Sequence, residues 1–120
     1  MANEGYFSVQ LKATKTGATV GHTDSERFDM TGDDMQQNTQ LIGTSAETVT
    51  FSAITGAPQM VLIQNLDPTN FIEIGGDSGL TVFKLKILAG MSNLVSLSSA
   101  TLYAKADTAA VRLQIVAIEA

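Results

Sequence analysis

The chain has no cysteine and no tryptophan, and its 120 residues include only two prolines, one histidine and seven basic side chains. Without cysteine there are no disulfides, no thiolate zinc sites and no cysteine nucleophile. Stability must come from apolar packing and backbone pairing. The basic residues, Lys12, Lys15, Arg27, Lys84, Lys86, Lys105 and Arg112, are scattered and outnumbered by twelve acids, for a net charge of -5. Nucleic-acid binding needs Lys and Arg to displace counterions, so this balance argues against it. No run is basic enough for an anionic membrane surface, and none is apolar enough over about 18 residues to span a bilayer. The opening "MANEGYFSVQ" has neither the basic nor the apolar region of a secretory signal. The sequence therefore predicts a chain that is made in a cytosol and stays soluble. Helical patterning is also missing. Thr44-Ser45-Ala46-Glu47 fits a capping box, but the run behind it alternates with period two.

What the chain does have is apolar content, 44%, enough for the core of one domain. That content alternates, as half-buried strands require. Phe7, Val9, Leu11 and Ala13 alternate with polar residues, as do Val49, Phe51 and Ala53. Phe83, Leu85 and Ile87 bracket Lys84 and Lys86. Leu102, Ala104 and Ala106, and then Val111, Leu113, Ile115 and Ala117, repeat the pattern. Met60 to Ile63 is continuously apolar, which suits a central strand. The stretch "VLIQNLDPTNFIEIGG", Val61 to Gly76, reads as strand, tight turn, strand, with Asn65, Asp67 and Asn70 as turn-builders. Turns recur every 8–12 residues or so from Thr48 onward, the spacing of sandwiches and barrels. The expectation is an all-β, two-layer antiparallel β-sandwich over residues 48–120. Phe51, Leu62, Ile74, Phe83, Leu85, Leu113 and Ile115 are its expected core.

Residues 1–47 are expected as an N-terminal strand plus an extended arm or loop region packing on that domain. From residue 14 onward apolar residues thin out, and five of the twelve acids fall between Asp24 and Asp34. The sequence predicts a long loop with two short strands at most, near 28–30 and 35–42. A loop this long inside a compact domain is usually functional or ordered by a partner.

Chemistry is hard to find. Gly76-Asp77-Ser78-Gly79 matches the nucleophile context of chymotrypsin-like proteases. However, that fold needs about twice this length, and a Gly/Asp/Ser string is ordinary turn chemistry. His22, the only histidine, has no second ligand of its kind and sits in a polar stretch expected to be loop. Asp24, Glu26, Asp29, Asp33 and Asp34 lack the spacing of a calcium loop. They are expected instead as contacts to a basic partner, together with residues 1–5 and the segment 14–38. No catalytic residue, cofactor or metal is expected. The closing strand, Val111 to Ile118, is apolar on both faces near its end, so one face is expected to meet another copy in a dimer or trimer.

Four stretches carry a resemblance: "IGTSAETV" (42–49), "VLIQNLDPTNFIEIGG" (61–76), "FKLKILAG" (83–90) and "LYAKADTAAVRLQIVAIEA" (102–120). Together they resemble small virion structural proteins of tailed bacteriophages. These carry an Asn-Leu-Asp-x-Thr-Asn turn, a Leu-Lys-x-x-Ala/Pro-Gly turn and a closing Leu-Tyr-Ala-Lys-Ala-Asp-Thr-Ala run. The resemblance covers about residues 42–120 and implies a jelly-roll-like sandwich in the particle. It implies a capsid cement, or decoration, protein on the virion surface with the major capsid protein as partner. A tail, fibre or adaptor sandwich, with carbohydrate binding in host recognition as one role for it, is the alternative. The resemblance brings no catalytic motif.

Overall fold

The computed structural model describes residues 4–30, 32–51, 53, 54, 56, 58, 60–97 and 99–119. The chain divides into two compact units, 1–31 and 32–119. The division therefore falls well before the boundary expected at 47/48. The difference lies in what the supposed loop contains, because most of it is strand.

The first unit is a β-hairpin. Strand β1 (Gly5–Lys15) pairs antiparallel with β2 (Ala18–Phe28) and, among the described residues, with no other strand. The connecting residues explain the sharp reversal. Thr16 and Gly17 have φ of 53° and 81°, the two positive values of a type I′ turn, whose twist matches the flanking strands. Thr14 Oγ1 and Thr19 Oγ1 bond across the strands at 3.0 Å, and the Met30 amide donates to Glu4 Oε1 at the open end. Gly5 lies opposite Phe28, whose ring occupies the space a Cβ at Gly5 would need. The expected loop from residue 14 is therefore corrected. His22 sits mid-strand opposite Leu11, not in a loop.

The second unit is an all-β sandwich of two four-stranded antiparallel sheets. One has the order β3-β10-β5-β8, from Met35–Ile42, Val111–Ile118, Met60–Asn65 and Ser92–Val95. The other is β4-β9-β6-β7, from Glu47–Thr48, Tyr103–Ala106, Ile72–Gly75 and Lys84–Ile87. The pairings β6·β7, β5·β8, β4·β9 and β3·β10 are nested. They are what results when one long hairpin is rolled up so that successive strand pairs fall in alternate sheets, which is the jelly roll. The sandwich thus begins at Met35. The expected core domain from residue 48 omitted β3, a full strand that pairs with β10 along all eight residues.

The core lies between the sheets. Val61 and Ile63 on β5, Leu113, Ile115 and Ala117 on β10, Ile72 and Ile74 on β6, and Ala104 and Ala106 on β9 are fully or almost fully buried. Large isoleucines on β6 stand opposite small alanines on β9, so the inner layer fills without collision. Phe51, Ile74, Leu113 and Ile115 are core as expected. Leu62, Phe83 and Leu85 are not, at 41%, 37% and 38% exposed. On β5 the odd positions, Val61, Ile63 and Asn65, face inward, and the period of two sends Leu62 to the outer face.

Candidate interaction surfaces

One side of the jelly roll is sewn shut. Gln40 on β3 donates to Thr48 O and accepts from the Thr50 amide. Gln36 donates to Thr50 O and accepts from the Ala53 amide. Both glutamines satisfy the backbone of the segment after β4 and bind the edge of one sheet to the edge of the other. The opposite side, between edge strands β7 and β8, has no such stitching among the described residues. A cleft of about 520 Å³ opens there, lined by Ile74, Phe83, Leu85, Val95, Leu97 and Leu102. Phe83 and Leu85, expected in the core, form its rim.

The loop that follows β5 is organised by Asn65. Its side chain is buried, and both amide hydrogens and the carbonyl oxygen have partners. Nδ2 donates to Asn70 O at 2.9 Å and Ile87 O at 3.1 Å, and Oδ1 accepts from the Asp67 amide at 2.8 Å. Its backbone bonds to Met91 O and receives the Gly90 amide. Gly90 has φ of 75° and closes a turn in which the Met91 amide reaches Leu88 O; this is the position where a type II turn needs glycine. Asn65 is thus a turn-builder, as its sequence context suggests, because the amide two residues on bonds its Oδ1 as in an Asx turn, and it is also a buried tie between two loops. Asp67 builds the turn as well. Its Oδ2 accepts from the Asn70 and Thr69 amides and from Thr69 Oγ1.

The Gly76-Asp77-Ser78-Gly79 string is built as a turn. Asp77 accepts from Thr81 Oγ1, the Val82 amide and the Thr81 amide, and the Leu80 amide bonds back to Asp77 O. Ser78 is exposed. Among the described residues no three His, Asp or Glu side chains gather as a metal site would require.

These two carboxylates tie stability to pH. Hydrogen bonds from the Asn70 amide, then the Thr69 amide, hold Asp67 below its ordinary 3.8. The Thr81 hydroxyl, then the Val82 and Thr81 amides, do the same for Asp77. A folded-state pKa lowered in this way contributes stability above the unfolded value and loses it as pH falls through the folded one. The urea midpoint is therefore expected to drop as pH goes below 3.8. Asp67→Asn with Asp77→Asn should flatten that acid limb, and an unchanged limb would mean the bonds carry no linkage.

The two outer faces of the sandwich differ in kind. On the β4-β9-β6-β7 sheet, Lys86, Glu73 and Lys105 form one cross-strand row, with Lys84 alongside. Lys86 also lies over the Phe71 ring at 4.4 Å. This is an ordinary solvated face. On the β3-β10-β5-β8 sheet, Leu94, Leu62, Val116 and Gln37 form a row. The next row holds Met60, Ile118 and Met35, with Ser96 reaching Met60 Sδ. Arg112 is the one charged residue on those four strands.

The hairpin is amphipathic in the same sense. Residues opposite one another share a face. One face therefore collects Phe7, Val9, Leu11, Ala13 and Val20 with Glu26, Asp24 and His22, and the other Tyr6, Ser8, Gln10, Thr14, Arg27, Ser25 and Thr23. On the polar face Arg27 stacks over Tyr6 at 5.4 Å. The apolar face is open, with Leu11 80% and Val20 71% exposed.

The five acids expected as one partner-binding segment are divided by the structure. Asp24 and Glu26 lie on β2, within the hairpin's apolar face, and Asp29 follows that strand. Asp33 and Asp34 belong to the second unit, where Asp34 O accepts the Glu119 amide. Residues 1–3, also expected as contacts, lie outside the described residues.

No family model matches the chain, and no curated protein does. Among solved structures it is similar to the crystal structure of a putative ethanolamine utilization protein Q from Salmonella typhimurium. The TM-score is 0.49 at 10% identity, over 97% of this chain and 98% of that one. At that identity and fit, the likeness says nothing of what the present chain binds. The class is set by the strand order itself: an antiparallel eight-stranded jelly roll with an N-terminal β-hairpin.

Proposed function

We propose that this chain is a structural virion protein, a cement that binds and stabilises a capsid shell, and that it is not an enzyme. The observation that carries the reading is the hairpin. A two-stranded hairpin is marginally stable at best in water. This one has strands of eleven residues and leaves Val9, Leu11 and Val20 exposed together on one face. Such an element holds its shape when laid on a partner, at the cost of ordering it there. The jelly roll supplies a rigid body to anchor it. A lattice then multiplies many weak contacts into firm attachment. The resemblance of residues 42–120 to small tailed-phage virion proteins points the same way, to the major capsid protein as that partner. The alternative, a carbohydrate-binding sandwich on a tail or fibre, needs an open aromatic platform, and the Phe71 ring is covered by Lys86.

The test is reconstitution on purified shells that lack the chain. Leu11→Asp with Val20→Asp should abolish occupancy, because charge would have to be buried against the partner. Asp24→Lys with Glu26→Lys should lower it, and more so at low salt, where exposed charge pairs are least screened. Full occupancy by both variants would remove the hairpin, and with it this reading.

A further inference from the structure

We infer that the outer face of the β3-β10-β5-β8 sheet is a self-association surface that takes a second copy of this chain, sheet against sheet, about a two-fold axis parallel to the strands. The inference takes up the partner copy expected from the closing strand and does not depend on the shell reading. Three observations carry it. First, the apolar residues on this face are contiguous rather than scattered: register places Leu94, Leu62 and Val116 in one row and Met60, Ile118 and Met35 in the next. Leu62 is 41% and Met35 64% exposed, whereas the sandwich's other outer face carries a lysine–glutamate–lysine row at the corresponding depth. Monomers rarely leave so much apolar surface together.

Second, Arg112 is the only charge on these strands, and it lies on β10 opposite Leu41, at the end away from Ile118 and Met35. A basic or acidic partner surface would find nothing to pair with in the apolar half, but an identical face would. Third, the face is self-complementary. A two-fold axis along the strands, between the central pair β10 and β5, exchanges those strands and keeps the rows aligned. Val116 and Ile118 of one copy then stand over Leu62 and Met60 of the other, branched side chains against longer ones. Aligned sheets pack at small angles about 10 Å apart. Four strands of up to eight residues give about 500 Å² per copy, so about 1,000 Å² in all, the lower bound for a specific interface.

Gel filtration with light scattering on the purified chain tests this without any shell. Wild type is expected at twice the chain mass of 12.6 kDa, and Leu62→Asp at one chain mass with an unchanged far-UV spectrum. Leu11→Asp, on the hairpin, should leave the larger species intact. Because the chain has no native cysteine, Leu62→Cys and Val116→Cys copies carrying different tags can be mixed and treated with a short bismaleimide, and the mixed cross-link should form; a direct disulfide is too short to span facing sheets. A wild type of one chain mass would overturn the inference. So would a larger species that survives Leu62→Asp, one that is lost with Leu11→Asp, or the absence of the mixed cross-link when the chains do associate.

Discussion

Replacing Asn65 with leucine is expected to cost the fold about 3–5 kcal/mol, although the two side chains are close in size. The substitution removes three hydrogen bonds at once. The Ile87 carbonyl, the Asn70 carbonyl and the Asp67 amide lose the partner they share. A buried polar group left without a partner costs about 1–3 kcal/mol. Ile87 O is the most enclosed of the three, while Asn70 and Asp67 border solvent and can recruit water, which keeps the total near the lower end of the sum. Two loops come loose together, because Asn65 ties the 66–71 turn to the end of β7. Asp67→Ala touches only the exposed turn and should cost far less. Urea unfolding of both variants checks the contrast; a loss below about 1 kcal/mol for Asn65→Leu would mean that water replaces the side chain in full.

The second large effect separates adjacent residues on β5. Ile63→Ala should cost about 2–5 kcal/mol, the range for emptying a closed core site. Ile63 is completely buried and stands opposite Ile115, so the neighbouring strands cannot close the gap. Leu62→Ala, one residue earlier, should cost under about 1 kcal/mol in the dispersed monomer. Phe83→Ala should likewise fall short of the roughly 3–5 kcal/mol typical of a buried phenylalanine, because its ring rims the β7/β8 cleft. Equal losses at residues 62 and 63 would mean that the register of β5 is wrong.

Period-two alternation made most of the sandwich legible in the sequence. Val111 to Ala117 and Ile72 to Ile74 point inward as that pattern requires. It failed where both faces of a strand are apolar. Met60 to Ile63 offers no polar residue to mark the outer side, so Leu62 could not be told from Ile63. The apolar outer face was legible only in part, from the two-sided apolar end of Val111 to Ile118. Strand β3 was legible as a short strand but not as part of the sandwich, because its inward positions include glutamines, Gln36 and Gln40, which satisfy backbone groups instead of filling a core. The hairpin was missed for a related reason. β2 carries Asp24, Glu26 and His22 on the face where a buried strand would carry apolar residues, and its alternation has meaning only once paired with β1. The signal that could have found it is Lys15-Thr16-Gly17-Ala18, a two-residue reversal between segments of equal length. Asn65 read as turn chemistry because it stands beside Leu66-Asp67-Pro68; only the packing of β7 against that loop explains its burial.

Amide hydrogen exchange across Gly5–Phe28 tests the central claim most directly, measured on the free chain and on the chain bound to purified shells. In the free chain the hairpin amides are expected to exchange almost as fast as an unfolded segment, while those of Ile63, Leu113 and Ile115 stay protected by the sandwich. On the shell the hairpin amides should become protected by orders of magnitude while the sandwich changes little. A hairpin equally protected with and without the shell, or unprotected in both, would contradict the account of β1 and β2 as an arm ordered by its partner.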